Sequence, residues 1–256
     1  MIEFELVEFK CEKHGSKQIK IPKGIKPLCS LCLEEEAVNK EINKRKDEEI
    51  KKLEIEKIKI EMNFKQAMIP PRFLQHSFDS YITTTQEQIK NKTVMFNYAL
   101  NFESNLKNGS SVILSGKVGN GKTHLACSVA NYIIKNLNKT ALFLSVIDAL
   151  AKIKSTYTKK NEISEIDVIN QFLEIDLLIL DEFGIQIGSD HEKMLLFRII
   201  NKRYEYLKPI ILITNLTAEQ IKSFDERIFD RLKENGILLT FSGESNRKIK
   251  TNLNLK

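Results

Sequence analysis

The sequence predicts an α/β protein whose main domain is a doubly wound, five-stranded parallel sheet. Two observations lead to this prediction. Short, nearly all-apolar runs alternate with segments of helical pattern from residue 88 onward, as expected for strands buried on both faces. A glycine-rich loop directly follows the first of these runs. The predicted strands are Val112–Ser115, Ala141–Val146, Leu177–Asp181, Ile210–Thr214 and Ile237–Phe241.

Length and composition narrow the class of protein further. The chain has 256 residues, enough for one to two domains of roughly 150 residues each. Hydrophobic residues make up 42% of it, so wholesale disorder is excluded. No apolar run approaches the ~18 residues of a membrane-spanning helix, and the N-terminus lacks the basic and apolar regions of a secretory signal. We therefore expect a cytoplasmic protein without a membrane partner.

Four ligand-type side chains form two close pairs near the N-terminus. Two residues separate Cys11 from His14 and Cys29 from Cys32, and fourteen residues lie between the pairs. Such short gaps let each pair bind one side of a tetrahedral Zn²⁺ ion, and clustered cysteines without a signal peptide favour a metal over disulfides. The spacing predicts a closed, structural zinc site in an N-terminal module, residues 1–33. The alternative is a chance pairing of free thiols.

The segments around this site differ in composition. Residues 1–10 suit a short strand and 11–33 a loop-rich knuckle, whereas 34–68 lack Gly and Pro and are rich in Glu, Lys and Ile. That composition predicts a charged helical linker. A solvated linker and a coiled coil or partner-binding helix both remain open. A Pro-Pro pair after Ile69 ends the helix, which places the second domain at residues 69–256.

The glycine-rich loop matches the phosphate-binding pattern G-x-x-x-x-G-K-T between a strand and a helix, the context that this pattern requires. Its glycines let backbone N–H groups converge on phosphate, Lys122 would reach the β- and γ-phosphates, and Thr123 would bind Mg²⁺. A chance glycine-rich turn is the alternative, and His124, an isolated histidine, is also open to a structural role. The predicted contacts to ATP or ADP are Gly116, Lys117, Val118, Gly119, Asn120, Gly121, Lys122, Thr123 and His124.

Polar residues follow two further predicted strands. Asp181 and Glu182 end a buried run, and parallel strands bring such ends beside the phosphate loop. Asp181 would hold Mg²⁺, directly or through water, and Glu182 would polarise the attacking water. The alternative is an acidic pair that only caps the next loop. Asn215 follows the run ILIT, where it would position water near the γ-phosphate or serve as a turn residue.

The segment ERIFDRL places Arg227 and Arg231 four residues apart, on one face of a helix. One arginine would pair locally with Asp230 or Glu226. The other would project from a subunit edge to a neighbour's γ-phosphate, where a guanidinium stabilises charge spread over the transition-state oxygens. The pattern alone leaves open which arginine has which role.

Together, these segments resemble the DnaC/DnaI-type replicative helicase loaders of the AAA+ superfamily. The resemblance rests on GNGKTHLA, LLILDEFG, ITNLT and ERIFDRL, with IPPRF…SFDSY ahead of them, and covers roughly residues 69–250. GKTHLA alone is shared with DnaA initiators and with IstB-type transposition helpers. ERIFDRL and IPPRF favour the loader branch. An IstB-type helper that binds DNA and a transposase is the alternative function, and a non-catalytic ATP-dependent clamp is a third.

The resemblance implies a weak Mg²⁺-dependent ATPase that self-associates into an ATP-dependent ring or spiral. Only about 15 residues follow the last predicted strand, so little or no C-terminal lid is expected on the AAA+ core. The resemblance maps Asn215 to the sensor-1 position, Arg227 to the trans-acting arginine finger and Arg247 to the sensor-2 arginine. Arg247 is equally open to being a surface charge. The implied partners are a hexameric replicative helicase, bound through the N-terminal region, and single-stranded DNA.

A lysine-rich stretch between the second and third predicted strands resembles the helical insertion that contacts single-stranded DNA in this branch. The net charge of +6 permits nucleic-acid binding but does not demand it. Lysines with one stackable ring suit unspecific binding to a single strand, and a solvated lysine face is the alternative. The candidates are Lys152, Lys154, Tyr157, Lys159 and Lys160.

Overall fold

The computed structural model describes residues 3–157, 163–184 and 189–243. The chain divides into two compact units, residues 1–58 and 59–256. Within the described ranges, no helix combines the length and the apolar character that crossing a membrane requires. The predicted division into three segments, with boundaries after residues 33 and 68, stays a prediction.

The first unit contains a β-hairpin. Strand β1, Phe4–Cys11, agrees with the expected short strand, but it pairs antiparallel with a second strand, β2, Gly15–Pro22. The segment expected to be a loop-rich knuckle is therefore in part a strand. Its signal is the alternation of Ile19 and Ile21 with polar residues, a period of two. Gly15, with φ of +78°, closes the tight turn in a conformation that favours glycine.

Helix α1, Ser30–Gln66, corresponds to the predicted charged helix but starts earlier in the chain. In the first unit it exposes apolar side chains, among them Ile50 and Leu53. Its last turns belong to the second unit, where Ile60 and Phe64 pack against buried core residues. Both interpretations of the exposed part, solvated linker and partner-binding helix, remain open.

The second unit is built on a five-stranded parallel sheet, which confirms the predicted fold class. Each predicted strand is present, with bounds that agree to within two residues. The strands are β3 (Val112–Gly116), β4 (Ala141–Ser145), β5 (Leu177–Phe183), β6 (Ile210–Thr214) and β7 (Ile237–Phe241). Their spatial order is β4-β5-β6-β3-β7, so β6 lies between β5 and β3.

Helices cover both faces of this sheet. Neighbouring strand residues contact opposite layers: Val112 and Leu114 belong to one buried cluster and Ile113 to the other. The helices are α2 (Gln86–Leu100), α3 (Phe102–Lys107), α4 (Lys122–Leu137), α5 (Val146–Lys154), α6 (Glu165–Glu174), α7 (Asp190–Glu205), α8 (Ala218–Phe224) and α9 (Glu226–Glu234). The sheet order brings the carboxyl ends of β5, β6 and β3 together at one edge.

Candidate functional site

The glycine-rich loop connects β3 to the first turn of α4, as the motif predicts. Two of its glycines are required by their surroundings. A Cβ at Gly116, whose φ is +146°, would lie 2.2 Å from the carbonyl oxygen of Phe241. A Cβ at Gly121, whose φ is +88°, would lie 2.5 Å from the ring of Tyr81. The backbone N–H groups at the start of α4 can therefore face an anion, which is the chemistry of a phosphate cradle.

Lys122 is almost fully buried at the centre of this loop, with 5% of its surface exposed. Its ammonium donates to the carbonyl oxygens of Gly116, at 2.5 Å, and Lys117, at 2.6 Å. It also donates to Asn215 Oδ1 at 3.2 Å. The structure thus joins the predicted phosphate-binding lysine to the predicted sensor-1 amide at the end of β6.

The side chain of Asn120 anchors the loop to the segment after β7. Its Nδ2 donates to the carbonyl oxygens of Phe241, at 3.0 Å, and Gly243, at 2.7 Å. Any contact of Asn120 with a nucleotide would therefore come from its backbone. Lys117 and Val118 lie exposed at the outer side of the same loop.

The two predicted Mg²⁺ ligands are adjacent. Thr123 Oγ1 donates to Asp181 Oδ2 at 3.1 Å, and the backbone N–H of Glu182 donates to Asp181 Oδ1 at 2.8 Å. Burial raises the pKa of the Asp181 carboxyl, so its charged form lacks full solvation. A hydroxyl and a carboxylate are oxygen ligands of the kind that Mg²⁺ prefers, so these residues can hold the ion beside a triphosphate.

Glu182 has an unusual backbone. Its φ of +62° lies in the left-handed region, which is costly for a residue with a Cβ. The pairing between β5 and β6 changes register between Leu180 and Phe183, so Asp181 and Glu182 leave the regular ladder. The side chain of Glu182 is exposed.

The two arginines of α9 rest on aromatic rings of α7. Arg227 stacks 4.3 Å from the ring centroid of Phe197, and its guanidinium donates to both carboxylate oxygens of Asp225, at 3.1 and 2.7 Å. Arg231 stacks 4.5 Å from the ring of Tyr204. The side chain of Arg227 is 64% exposed, so its contacts leave it accessible to a neighbouring molecule.

The lead-in segment ahead of the second domain's sheet packs against the start of α4. The rings of His76 and His124 stack with centroids 4.0 Å apart, and His124 Nε2 lies 3.1 Å from Ser80 Oγ. Tyr81 donates its hydroxyl to the carbonyl oxygen of Asn120 at 3.4 Å. Sequence reasoning missed this arrangement and treated His124 as isolated. The signal was the lead-in motif SFDSY, whose serines and tyrosine make the contacts.

Two of the candidate residues in the lysine-rich stretch contact glutamate side chains. Lys154 pairs with Glu192 at 2.5 Å, and the Tyr157 hydroxyl donates to Glu165 at 2.7 Å. Lys152 is exposed on α5. Lys159, Lys160 and the predicted sensor-2 residue Arg247 lie outside the described residues, as does the predicted short tail beyond residue 243.

The four predicted zinc ligands converge in the first unit, with all ligand atoms within 4.8 Å of one another. The Nδ1 atom of His14 lies 3.6 Å from the sulfur of Cys11, 3.5 Å from that of Cys29 and 3.3 Å from that of Cys32. Bonds of about 2.3 Å to sulfur and about 2.0 Å to nitrogen give a tetrahedron with sulfur–nitrogen edges of about 3.6 Å. The observed spacing fits such an ion.

Two neighbouring groups support metal binding by this cluster. The backbone N–H of His14 is the main cause that lowers the pKa of Cys11 to about 6, whereas the hydrogen bond with Cys11 raises the pKa of Cys32 to about 12, so Cys11 is the thiolate of this pair. Glu35 Oε1 lies 3.1 Å from His14 Nε2, the ring nitrogen that faces away from the sulfurs. A carboxylate in that position fixes the ring and its tautomer, as acids commonly do behind histidine ligands of zinc.

The chain is similar to several known proteins. The family model described as IstB-like ATP binding protein matches residues 34–254. The replicative helicase loader DnaC of Buchnera aphidicola subsp. Baizongia pistaciae (strain Bp) is 33% identical over 230 residues, 89% of this chain and 92% of the relative. The replicative helicase loader DnaC of Escherichia coli (strain K12) is 30% identical over 192 residues, 74% of this chain and 76% of that one. A crystal structure of the DnaC helicase loader matches with a TM-score of 0.61 at 23% identity, over 67% of this chain and 99% of that chain.

The parallel sheet, the glycine-rich loop at its edge and the acids beside that loop define a nucleotide-binding protein of the P-loop class. The chain belongs to the IstB-like ATP binding protein family, in which it resembles proteins named replicative helicase loader DnaC. The family resemblance predicted from the motifs is thereby confirmed.

Proposed function

We propose that this protein is an ATP-dependent loader, which binds a hexameric replicative DNA helicase and assists its placement on single-stranded DNA during replication initiation. The observation that carries the proposal is the 33% identity to a relative named replicative helicase loader DnaC. That match spans 92% of the relative, so it extends well beyond the phosphate-loop motif shared with transposition helpers. This favours a loader over an IstB-type transposition helper.

The loader's energy source would be ATP hydrolysis to ADP and phosphate. Bound Mg²⁺ would offset the charge of the β- and γ-phosphates. Lys122 would bind those phosphates, while Thr123 and Asp181 hold the ion. Glu182 would accept a hydrogen bond from the attacking water and draw its proton away from the forming bond. Asn215, already in contact with Lys122, would orient that water beside the γ-phosphate.

Hydrolysis would also require a second subunit. Arg227 is exposed, and the Phe197 ring and Asp225 hold its guanidinium in one orientation. In a ring or spiral of subunits, that guanidinium would reach the neighbour's γ-phosphate and stabilise charge in the transition state. Assembly and hydrolysis would then depend on each other.

The N-terminal cluster would hold one structural Zn²⁺ through Cys11, His14, Cys29 and Cys32. Three sulfurs and one imidazole nitrogen complete a tetrahedron, so no ligand position is left for catalysis. The ion would fasten the hairpin to the first turn of α1, which lies in the region that we propose for helicase binding. Single-stranded DNA would bind near Lys152, where Lys154 would have to exchange Glu192 for phosphate.

The test is to mix the purified protein with its host's replicative helicase, with and without ATP, and to measure the mass of the complex. We expect a defined assembly with the hexamer whose formation or release depends on ATP, and Lys122→Ala should remove that dependence. No complex under any nucleotide condition would instead favour the transposition helper. If the assembly forms and Glu182→Gln leaves loading unchanged, the protein acts as a non-catalytic clamp.

A further inference from the structure

Thr214, the last residue of β6, has a buried hydroxyl that makes two hydrogen bonds. Its side chain donates to the carbonyl oxygen of Phe183 at 2.8 Å and accepts from the backbone N–H of Leu216 at 3.0 Å. Only 1% of the residue is exposed. A buried hydroxyl with both a donor and an acceptor partner fixes the segments that it joins, because breaking either bond leaves a polar group unsatisfied.

The hydroxyl lies where the ladder between β5 and β6 is irregular. Phe183 pairs with Thr214, but the register shifts between Leu180 and Phe183. The residues within this shift include Glu182, whose φ of +62° needs support from its surroundings. The side-chain bond from Thr214 to Phe183 supplies such support one residue away from Glu182.

The same short segment is fastened on its other side to the strand that leads into the phosphate loop. Ser115 Oγ donates to the carbonyl oxygen of Leu216 at 2.6 Å, and Ser115 is itself buried. The Leu216 side chain covers Gly184, where a Cβ would lie 2.3 Å from it. Residues 214–216 are therefore held between the ends of β5 and β3. Asn215 lies in the middle of this segment.

We propose that Thr214 is a positioning residue for ATP hydrolysis. Its hydroxyl sets the backbone that carries Glu182 in a fixed relation to the backbone that carries Asn215, so that both side chains face the same water. The inference rests on the proposed ATPase function and adds to it a buried residue outside the proposed phosphate and Mg²⁺ ligands. Lys122 donates to two carbonyl oxygens of the phosphate loop itself, so nucleotide binding should depend less on Thr214 than hydrolysis does.

The experiment compares Thr214→Val, which keeps the side chain's shape and removes both hydrogen bonds, with Thr214→Ser, which keeps the hydroxyl. We expect the valine variant to lower kcat by roughly 10–100-fold, the scale of a misplaced reacting group, while ATP affinity changes less than about threefold. Thr214→Ser should restore kcat to within about threefold of wild type. Should Thr214→Val not fold, Thr214→Ala removes the hydroxyl without placing a methyl against the carbonyl, and the same kcat loss is expected.

Thr140 offers a matched control at the opposite end of the sheet. Its hydroxyl donates to Asp176 Oδ2 at 3.0 Å and accepts from the backbone N–H of Asp176 at 2.9 Å, so it also makes one bond of each kind. Thr140→Val should lower stability and leave kcat unchanged. The inference is overturned if Thr214→Val hydrolyses ATP like wild type, loses affinity in proportion to kcat, or behaves like Thr140→Val. Wild-type protein that never hydrolyses ATP, alone or with helicase and DNA, would overturn the ATPase proposal as well.

Discussion

The hydroxyl of Thr123 and the carboxylate of Asp181 lie 3.1 Å apart, although they are 58 positions apart in the chain. Thr123 stands in the first turn of α4 and Asp181 near the end of β5. The contact therefore shows that the phosphate loop and the end of β5 lie next to each other at one edge of the sheet. It also gives the two oxygen ligands proposed for Mg²⁺ a common location.

Asp181→Asn should separate nucleotide binding from hydrolysis. The amide keeps the shape of the side chain but loses the charge that we propose to hold Mg²⁺. We expect hydrolysis to fall by about 100-fold or more, since removal of one charge-stabilising group commonly costs that much. Binding of ADP without Mg²⁺, measured by titration calorimetry, should change by less than about threefold, because the contacts of Lys122 remain. Asp176→Asn is the control for general destabilisation, because Asp176 directly precedes β5, at the strand end opposite to Asp181. Equal loss of Mg²⁺-free ADP binding would contradict the assignment.

Arg227→Ala should retain ATP binding and lose hydrolysis that depends on assembly. The side chain of Arg227 is largely exposed, and its contacts are with Asp225 and Phe197. We therefore expect its guanidinium to act on the nucleotide of a neighbouring subunit. A trans-acting arginine is worth about 10³-fold or more in related phosphoryl transfer, so a loss above tenfold is expected. Steady-state ATPase rates at increasing protein concentration provide the measurement.

Mixing variants makes this test specific to the subunit interface. Lys122→Ala should lose ATP binding but keeps Arg227, whereas Arg227→Ala should bind ATP but lacks that arginine. A mixture should recover part of the activity that neither variant has alone. Arg231→Ala, which removes the arginine stacked on Tyr204, is the matched control for lost packing on α7. Absence of recovery, together with impaired ATP binding by Arg227→Ala, would place Arg227 in its own subunit's fold.

The sheet and the grouping of the nucleotide-site residues could be predicted from sequence because both follow from local patterns. Strands buried on two faces leave continuous apolar runs, and parallel strands bring their carboxyl ends to one edge. Lys122, Asp181 and Asn215 could therefore be grouped from the sequence alone. The ends of β5 were less predictable, since the shift at Glu182 depends on hydrogen bonds from another strand.

Contacts distant in sequence were not predictable in this way. The stack of His76 on His124 joins residues far apart in the chain, and no periodicity signals it. Strand β2 was missed because it is mostly exposed, so its apolar alternation is short and its lysines and glycine suggested a loop. The role of Glu35 behind His14 depends on how α1 faces the hairpin, which spacing alone does not fix.

Glu35→Gln should weaken zinc binding without removing any ligand. Glu35 Oε1 contacts His14 Nε2, so the amide would hold the imidazole less firmly while Cys11, Cys29 and Cys32 stay in place. Loss of such an outer partner typically lowers metal affinity about 10–100-fold. Competition with a chromogenic chelator measures the affinity, and the Co²⁺-substituted spectrum reports whether three sulfurs and one nitrogen still bind.

Two further variants serve as controls for the zinc affinity of Glu35→Gln. Glu34→Gln removes the neighbouring exposed acid and should leave zinc affinity unchanged, whereas Cys29→Ser should release the metal and unfold only the N-terminal module. If Glu35→Gln binds zinc as tightly as wild type, the carboxylate does not orient His14. If the wild-type protein purifies without any bound metal and takes up none, the zinc site itself is excluded.

Asp225 should contribute to stability in a pH-dependent way. Its carboxylate caps α9 by accepting the backbone N–H of Arg227, at 3.0 Å, and of Ile228, at 3.3 Å. The guanidinium of Arg227, first among several causes, lowers the pKa of this carboxyl below its ordinary value of 3.8. The unfolded chain therefore takes up the proton first as the pH falls. The stabilisation is complete above the unfolded pKa and is lost as the pH drops through the lower, folded pKa.

Asp225→Ala should accordingly cost about 1 kcal/mol of unfolding free energy at pH 7, the typical value of a helix N-cap. Urea unfolding of wild type and variant should show the difference shrinking below about pH 4, where the carboxyl begins to be protonated. Asp225→Asn keeps a capping oxygen and lacks the charge, so it should retain most of the stability at pH 7 and show a flatter pH dependence. A wild-type-to-alanine difference that stays constant from pH 7 to pH 3 would show that the cap acts without its charge, and the guanidinium would then be positioned mainly by the Phe197 ring.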